Sequence, residues 1–296
     1  MNDIITIPER ISSDFSGYDF LSDLNARIEK ITLRNIIIDF SGNVWFEANL
    51  CAVLGAIINQ ASTNFNNVFI QNLNPKQKDI FSRNHFLASF GGEKIADYGN
   101  TTIKYRRNRL TDDKLIKEFL DKELINKPDF PKLSEAAKKE IIRSIFEIYS
   151  NAVIHGDCKD VFSCGQFYPQ KQPPRIDFTI ADLGKTIKKN VCDFLQKKVS
   201  GVDAIKWALE ENNTTKPKED NIPGGLGFKL ICDFVRLNKG QVQIVSSDGY
   251  WQMTNGTQQT KTLNKPFPGT IVNIEFNLDD KSFYSLKNEK QNNIIF

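Results

Sequence analysis

Four stretches carry residue types at spacings that suit binding and cleaving a charged, planar ligand. Glu147-Ile-Tyr-Ser-Asn151 sets a carboxylate and a carboxamide four residues apart, so on a helix they share one face, a turn apart. Such a pair can orient a water and hold Mg²⁺ through oxygen; a solvated helix face is the plainer reading. Asp182 leaves the apolar run IDFTIAD at a strand end and is followed by Gly184. An acid placed there meets ligands at a sheet end, and a glycine lets backbone approach a flat ring. The competing use of Asp182 is to cap a helix beginning near Ile187. Pro223-Gly224-Gly225-Leu226-Gly227-Phe228-Lys229 runs a glycine-rich loop into a helix N-terminus, where free N–H groups and the helix dipole favour phosphate. It is neither a P-loop nor a dinucleotide fingerprint, lacking G-x-x-x-x-G-K-[ST] in the first case and a preceding βαβ strand in the second. A flexible glycine turn would account for the glycines alone. Thr270, opening the run TIVNIEF, offers a hydroxyl that can hold a base through a water, but Thr is also simply a good strand former.

The elements that must position these groups fall into two halves. In residues 1–106, strands are expected at 4–7, 35–40, 67–73 and 101–105, with a buried helix over 46–60 and a second over 76–86. Strand–helix alternation of that kind implies an α/β layer with a mainly parallel sheet. Residues 107–135 are charged and carry Pro128 and Pro131, the mark of an inter-domain region, with a helix over 112–124. Beyond it the pattern predicts a helix over 134–154, a hairpin of 162–168 with 175–181, and helices over 187–197 and 202–210. A polar loop, 211–223, leads into a helix over 225–237, and strands close the chain near 241–246, 249–253 and 270–277. The tail 279–296 reads as polar surface.

Composition limits the partners. The 296 residues suit two domains, 40% being hydrophobic and 25% charged, as in ordinary globular chains. Lys and Arg number 39 against 36 Asp and Glu, a net charge of +3, too mild to indicate nucleic acid or a membrane surface. No apolar stretch approaches the roughly 18 residues that span a bilayer, and the opening MNDIITIPER is not a signal peptide. Five scattered cysteines without C-x-x-C spacing argue against a disulfide framework or a zinc site and fit a reducing cytoplasm.

Taken in their fixed order, the four stretches resemble the GHKL group of ATP-binding domains (gyrase, histidine kinases and MutL among them) over about residues 110–280. Glu147 and Asn151 match that group's N box, Asp182 and Gly184 its first glycine box, Gly225 and Gly227 its second, and Thr270 its last. The resemblance implies a two-layer α/β sandwich of Bergerat type over 107–296. It implies that Asn151 binds Mg²⁺ and that Asp182 accepts from the adenine amino group. It also implies that Gly224 and the backbone from Gly225 through Leu226 and Gly227 to Phe228 enclose the phosphates. Within the group, Asn151-Ala-Val-Ile-His155-Gly156 looks most like anti-sigma-factor serine kinases and the ATPase domains of histidine kinases. The sequence departs from the pattern at Thr186, where a second glycine is usual. His155 lies one turn beyond Asn151, within reach of the same pocket, or serves as a helix C-terminal His favoured by the dipole. The lid hydroxyls Thr214 and Thr215 match no position of the group.

Asp39-Phe-Ser41-Gly42, ahead of an apolar helix, is similar to STAS domains, the regulatory targets of such kinases. Ala48 and Asn49 stand where that family's phosphorylatable serine would fall, so residues 1–106 are expected to act as a regulatory module without a phosphoacceptor. The function expected is Mg²⁺-dependent ATP hydrolysis driving a conformational switch, with Glu147 as general base on water. The alternatives are a protein serine/threonine kinase of the anti-sigma type and a non-catalytic ATP-sensing module. A regulatory protein partner is expected and a homodimer allowed. A complete histidine kinase is disfavoured, because His85 and His155 are the only histidines and neither stands on a dimerisation helix upstream of the ATPase.

Overall fold

Short β-branched runs separated by apolar helices give the first half its parallel sheet. The structure is a computed structural model and describes residues 2–109, 113–127, 129–210, 213, 215, 226–287 and 289. Strands β1 (Asn2–Thr6), β2 (Arg10–Ile11), β3 (Asn35–Asp39), β4 (Trp45–Phe46) and β5 (Asn67–Gln71) pair only in parallel: β1-β3-β5 form one sheet and β2-β4 a two-residue ladder. Three helices pack with them: α1 (Phe15–Ile28), α2 (Cys51–Thr63) and α3 (Pro75–Arg83). Helix α2 is buried on nearly every side, as an all-round apolar helix must be, and a tight turn at Ala48–Leu50 leads into it. Asn74 and Gln77 close a capping box on α3, with Pro75 in its first turn. The sequence reading assigned no helix to 15–28. Polar residues and Gly17 dilute α1, yet Tyr18, Leu21, Leu24 and Ile28 repeat at helical spacing and are buried, and Asp14 caps it.

The second half is built on an antiparallel sheet whose strands lie in the order 241–254, 257–277, 175–182, 161–168 and 102–108. Its strands are β6 (Thr102–Asn108), β8 (Val161–Tyr168), β9 (Arg175–Asp182), β10 (Gln241–Thr254) and β11 (Thr257–Asn277); the pair β7 (Lys132–Leu133) and β12 (Phe283–Tyr284) stands apart. The expected boundary after residue 106 falls inside β6, which pairs with β8. The closing strand of the first half therefore belongs to the second sheet. The strands expected near 241–246 and 249–253 are one strand, β10, crossed by register shifts at Ser246–Gly249, and the 270–277 strand is the end of the longer β11. The β8–β9 hairpin and the helices α4 (Asp113–Phe119), α5 (Glu135–Ile154), α6 (Ile187–Leu195), α7 (Gly201–Leu209) and α8 (Leu226–Asn238) lie where expected to within a few residues, with α4 passing into a π-helical turn at Leu120–Ile125. Among the described residues no helix is long and apolar enough to cross a membrane.

Side chains alternate between the faces of this sheet. Ile176, Phe178 and Ile180 of β9 and Val272, Ile274 and Phe276 of β11 join α4, α5 and α8 in one core, while Phe162, Cys164, Ala181 and Ile271 join α1 and α2 in another. The sheet therefore lies between two helical layers, one contributed by each half of the chain. Polar groups are buried in that seam. The Asn49 amide donates to Ser13 Oγ (2.7 Å), Thr179 Oγ1 (2.9 Å) and Asn273 Oδ1 (3.2 Å). Glu47 accepts from the Ser13 N–H (2.6 Å) and the Arg175 guanidinium (3.0 Å), which also reaches Asp177 (3.1 Å) and Glu275 (3.2 Å). All five cysteines are free thiols.

Candidate active site

Helix α5 presents two of the predicted groups. The Ser134 hydroxyl accepts from the Ala137 N–H (3.1 Å) and starts it. Ile141, Ile145, Ile148 and Tyr149 bury its core stripe, which leaves Glu147 and Asn151 on the half-buried strip beside it. The helix ends at His155, whose N–H returns to the Asn151 carbonyl (2.9 Å). His155 is thus the C-cap; its carbonyl accepts from Asn190 Nδ2 (2.9 Å) and its Nδ1 lies 3.2 Å from Thr215 Oγ1.

The chain after β9 supplies the next groups. Asp182 is buried in the last position of β9, opposite Thr270 of β11 on one side and Val161 of β8 on the other. Its Oδ1 accepts from the Gly184 N–H (2.9 Å), so its carboxylate orders its own loop rather than capping α6. The α6 cap is Thr186, whose Oγ1 accepts from the Lys189 N–H (3.1 Å). This gives the departure from the expected glycine a physical reason: the chain turns into a helix there, and a hydroxyl satisfies a first-turn N–H that glycine would leave free. Gly184 packs on the end of α5. A Cβ at residue 184 would lie 2.3 Å from the Gly156 carbonyl oxygen, and that oxygen accepts from the Lys185 N–H at 2.5 Å. Gly269 is constrained likewise: a Cβ there would lie 2.1 Å from the Asp182 carbonyl oxygen, so glycine lets β11 enter beside Asp182.

These elements enclose one pocket. Glu147, Asn151, Asp182, Phe228 and Thr270 all line it, so the predicted stretches converge on a single space of about 120 Å³. Gly184 stands behind it as a packing residue. Leu226 and Gly227 occupy the first turn of α8, whereas Gly224, Gly225 and Thr214 lie outside the described residues, as does most of the polar stretch 211–223. The sequence reading missed Asn190, Val191 and Trp207, which also line the pocket, and Ser246, whose hydroxyl receives the Ile187 N–H (2.9 Å), donates to the Gly269 carbonyl (3.0 Å) and lies 3.1 Å from Thr270 Oγ1. One signal was present for Asn190: it stands between Ile187 and Val191 on the apolar face of α6. Nothing in the sequence marks Ser246.

Burial raises the Asp182 carboxyl to about 7, opposed only by the backbone N–H groups of Gly184 and Thr270. Among the described residues no cation contributes to its shift. A buried carboxylate of this kind favours a ligand that brings its own N–H donor. Among the described residues no group of three or more His, Cys, Asp or Glu could hold a metal ion. A cation at Asn151 would therefore depend on oxygens of the ligand, the usual habit of Mg²⁺ with phosphates. No family model matches the chain, nor does any curated protein or solved structure.

Proposed function

We propose that this pocket binds ATP with Mg²⁺ and that the chain hydrolyses it as a conformational switch, on a second half of the Bergerat kind. One observation carries the reading: Glu147, Asn151, Asp182, Phe228 and Thr270, from four separate stretches, line one space. Asp182 accepts the adenine amino group, with Thr270 beside it at the strand end. Phe228, in the first turn of α8, stands where backbone N–H groups and the positive end of the helix meet phosphate. Asn151 offers its carboxamide oxygen to the cation, which supplies charge neutralisation for the phosphates when bound. Glu147, one turn before it, takes the proton of the attacking water. The first half, STAS-like in this reading, is a regulatory part that acts through the sheet, since its Ala48–Leu50 turn is buried against β8 and β9.

The test is to incubate the purified chain with γ-labelled ATP and Mg²⁺ and score free phosphate and labelled protein separately. Wild type is expected to release phosphate. Glu147→Ala is expected to keep its nucleotide affinity and lose roughly 10²–10⁴-fold in turnover, the usual contribution of a positioned base. Label moving to a protein hydroxyl would assign phosphotransfer instead, and calorimetry without a nucleotide signal would overturn the whole reading.

A further inference from the structure

The sheet β1-β3-β5 repeats one pattern in all its strands. Asn2, Asn35 and Asn67 open them in register, Ile4, Ile37 and Phe69 stand two residues on, and Ile5, Ile38 and Ile70 follow. The asparagines form a ladder with one direction: Asn67 Nδ2 donates to Asn35 Oδ1 (3.2 Å) and Asn35 Nδ2 to Asn2 Oδ1 (3.2 Å). Beside the ladder the row of Ile4, Ile37 and Phe69 faces outward, with Ile4 64% and Phe69 47% exposed. Ile5, Ile36 and Ile38 face the core that includes α2.

The sheet stops at β5. The Asn67 N–H donates to the Arg34 carbonyl (2.9 Å) and the Phe40 N–H to the Gln71 carbonyl (3.0 Å), so residues 67, 69 and 71 turn their backbone groups toward β3. In a parallel ladder the N–H and C=O groups of Val68 and Ile70 then point to the open edge. Among the described residues neither finds a backbone partner there. Edges of this kind are usually blunted by charge or proline. Asn-Val-Phe-Ile-Gln carries neither, whereas β1 at the opposite edge has Asp3, paired with Arg34 (3.4 Å). A cleft of about 450 Å³ follows the β5 edge, lined on its other side by Ile58, Leu87 and Phe90. Lys78 in its wall is met by Glu93 (3.7 Å), so the cleft suits an uncharged extended segment.

The sequence holds one more copy of the pattern. Residues 292–296, Asn-Asn-Ile-Ile-Phe, match the Asn, Ile and Ile of β1 at the same spacing; they lie outside the described residues. The chain leads to them from Glu289, whose carboxylate accepts from the Ser134 hydroxyl (2.7 Å) at the start of α5. That helix lies on the far face of the antiparallel sheet. From α5 through that sheet and α2 to β5 is three layer spacings of roughly 10 Å each. The steps from 289 to 292 reach only roughly 10 Å, so the segment of one chain meets β5 of another.

We propose that residues 292–296 of a second copy of this chain add to the β5 edge as a fourth parallel strand. Asn292 then stands beside Asn67, and its Nδ2 continues the ladder onto Asn67 Oδ1. Ile294 extends the row of Ile4, Ile37 and Phe69, and Ile295 that of Ile5, Ile38 and Ile70. The N–H groups of Ile294 and Phe296 meet the Val68 and Ile70 carbonyls, and the Val68 and Ile70 N–H groups meet the carbonyls of Asn292 and Ile294. This association stands independently of the ATP reading.

Two measurements test it. Sedimentation of the full chain up to ~0.5 mM, a range that registers even millimolar binding, is expected to show reversible association that Ile294→Asp abolishes. A fluorescein-labelled peptide of residues 290–296 is then titrated with the Ile294→Asp chain, whose own segment does not compete, and read by anisotropy. Saturable binding is expected. N-methylation of the peptide at Ile294 removes one donor and obstructs the edge, and should weaken binding about tenfold or more; Asn292→Ala in the peptide should weaken it about 3- to 10-fold, the usual worth of one hydrogen bond. A wild-type chain that stays monomeric throughout would overturn the proposal, as would association that survives Ile294→Asp. Absence of peptide binding, or equal binding by either altered peptide, would do the same.

Discussion

Asp182 shows how one buried side chain ties the proposed activity to pH. With its carboxyl raised to about 7 by burial, the group is largely protonated in mildly acidic solution, where it offers the adenine amino group a weaker acceptor. Nucleotide affinity is therefore expected to rise with pH up to about 7 and then level off, by at most about tenfold per unit. Stability runs the other way. The folded chain binds this proton more tightly than the unfolded chain, so the contribution of Asp182 to stability falls as pH climbs from about 4 to 7 and is flat above that. Asp182→Asn should lower affinity at pH 8 by roughly 10- to 100-fold, since a hydrogen bond to a charged group contributes about 1.5–3 kcal/mol, and should remove the pH slope of binding. Calorimetry across pH 5.5–8.5 measures both effects. A slope that persists in the variant would assign the titration to another group and remove Asp182 from the adenine contact.

At the scale of elements, α6 depends on a cap that the resemblance would not have supplied. Thr186 holds the first turn through the Lys189 N–H, and Asn190, one turn later, ties that helix to the end of α5 through the His155 carbonyl. Thr186→Ala is expected to cost about 1 kcal/mol in urea denaturation, and Thr186→Gly only a few tenths, because glycine is itself an acceptable N-cap. If glycine costs as much as alanine, the hydroxyl contributes through something other than the cap. This element also shows where the sequence was legible. The helices with a strong apolar period or a Ser, Thr or Asn cap, namely α3, α5, α6, α7 and α8, could be placed to within a few residues, as could the hairpin that delivers Asp182. Helix α1 was missed because Ser16, Gly17, Asp19, Ser22 and Asp23 dilute its period, although its buried positions keep helical spacing. The candidate residues were legible because Glu147 and Asn151 share a helix face and Asp182 ends an apolar strand. Ser246, Trp207 and the His155–Thr215 contact depend on which elements meet in space, and local spacing carries no record of that.

For the whole molecule, the seam between the halves decides how separable they are. The sequence suggested a junction after residue 106, but β6 runs through it and α1 and α2 pack on one face of the sheet. Within that seam one guanidinium serves three carboxylates. Arg175 holds Glu47 from the first half together with Asp177 and Glu275 from the second. Burial pushes the Asp177 and Glu275 carboxyls up, and the Arg175 charge pulls both back down. Replacing Arg175 with methionine keeps much of the side-chain length but leaves the three acids facing one another without the guanidinium they share, although the Lys171 charge still acts on Glu275. Removing one partner of a buried ion pair typically costs about 3–5 kcal/mol, and Arg175→Met is expected to lose stability in that range near neutral pH. The sign with pH follows from the acids. Without Arg175 the folded-state pKa values of Asp177 and Glu275 rise further above their unfolded values, so the folded variant binds more protons than the unfolded chain and its stability falls as pH rises through the carboxylate range. The deficit relative to wild type should therefore be largest at pH 7–8 and shrink on acidification toward pH 5. Urea titrations of both chains at these pH values, followed by tryptophan fluorescence, check it. A deficit that is constant with pH would mean that Arg175 acts through its packing against the Tyr168 ring, 5.4 Å away, and not by holding the charged seam together.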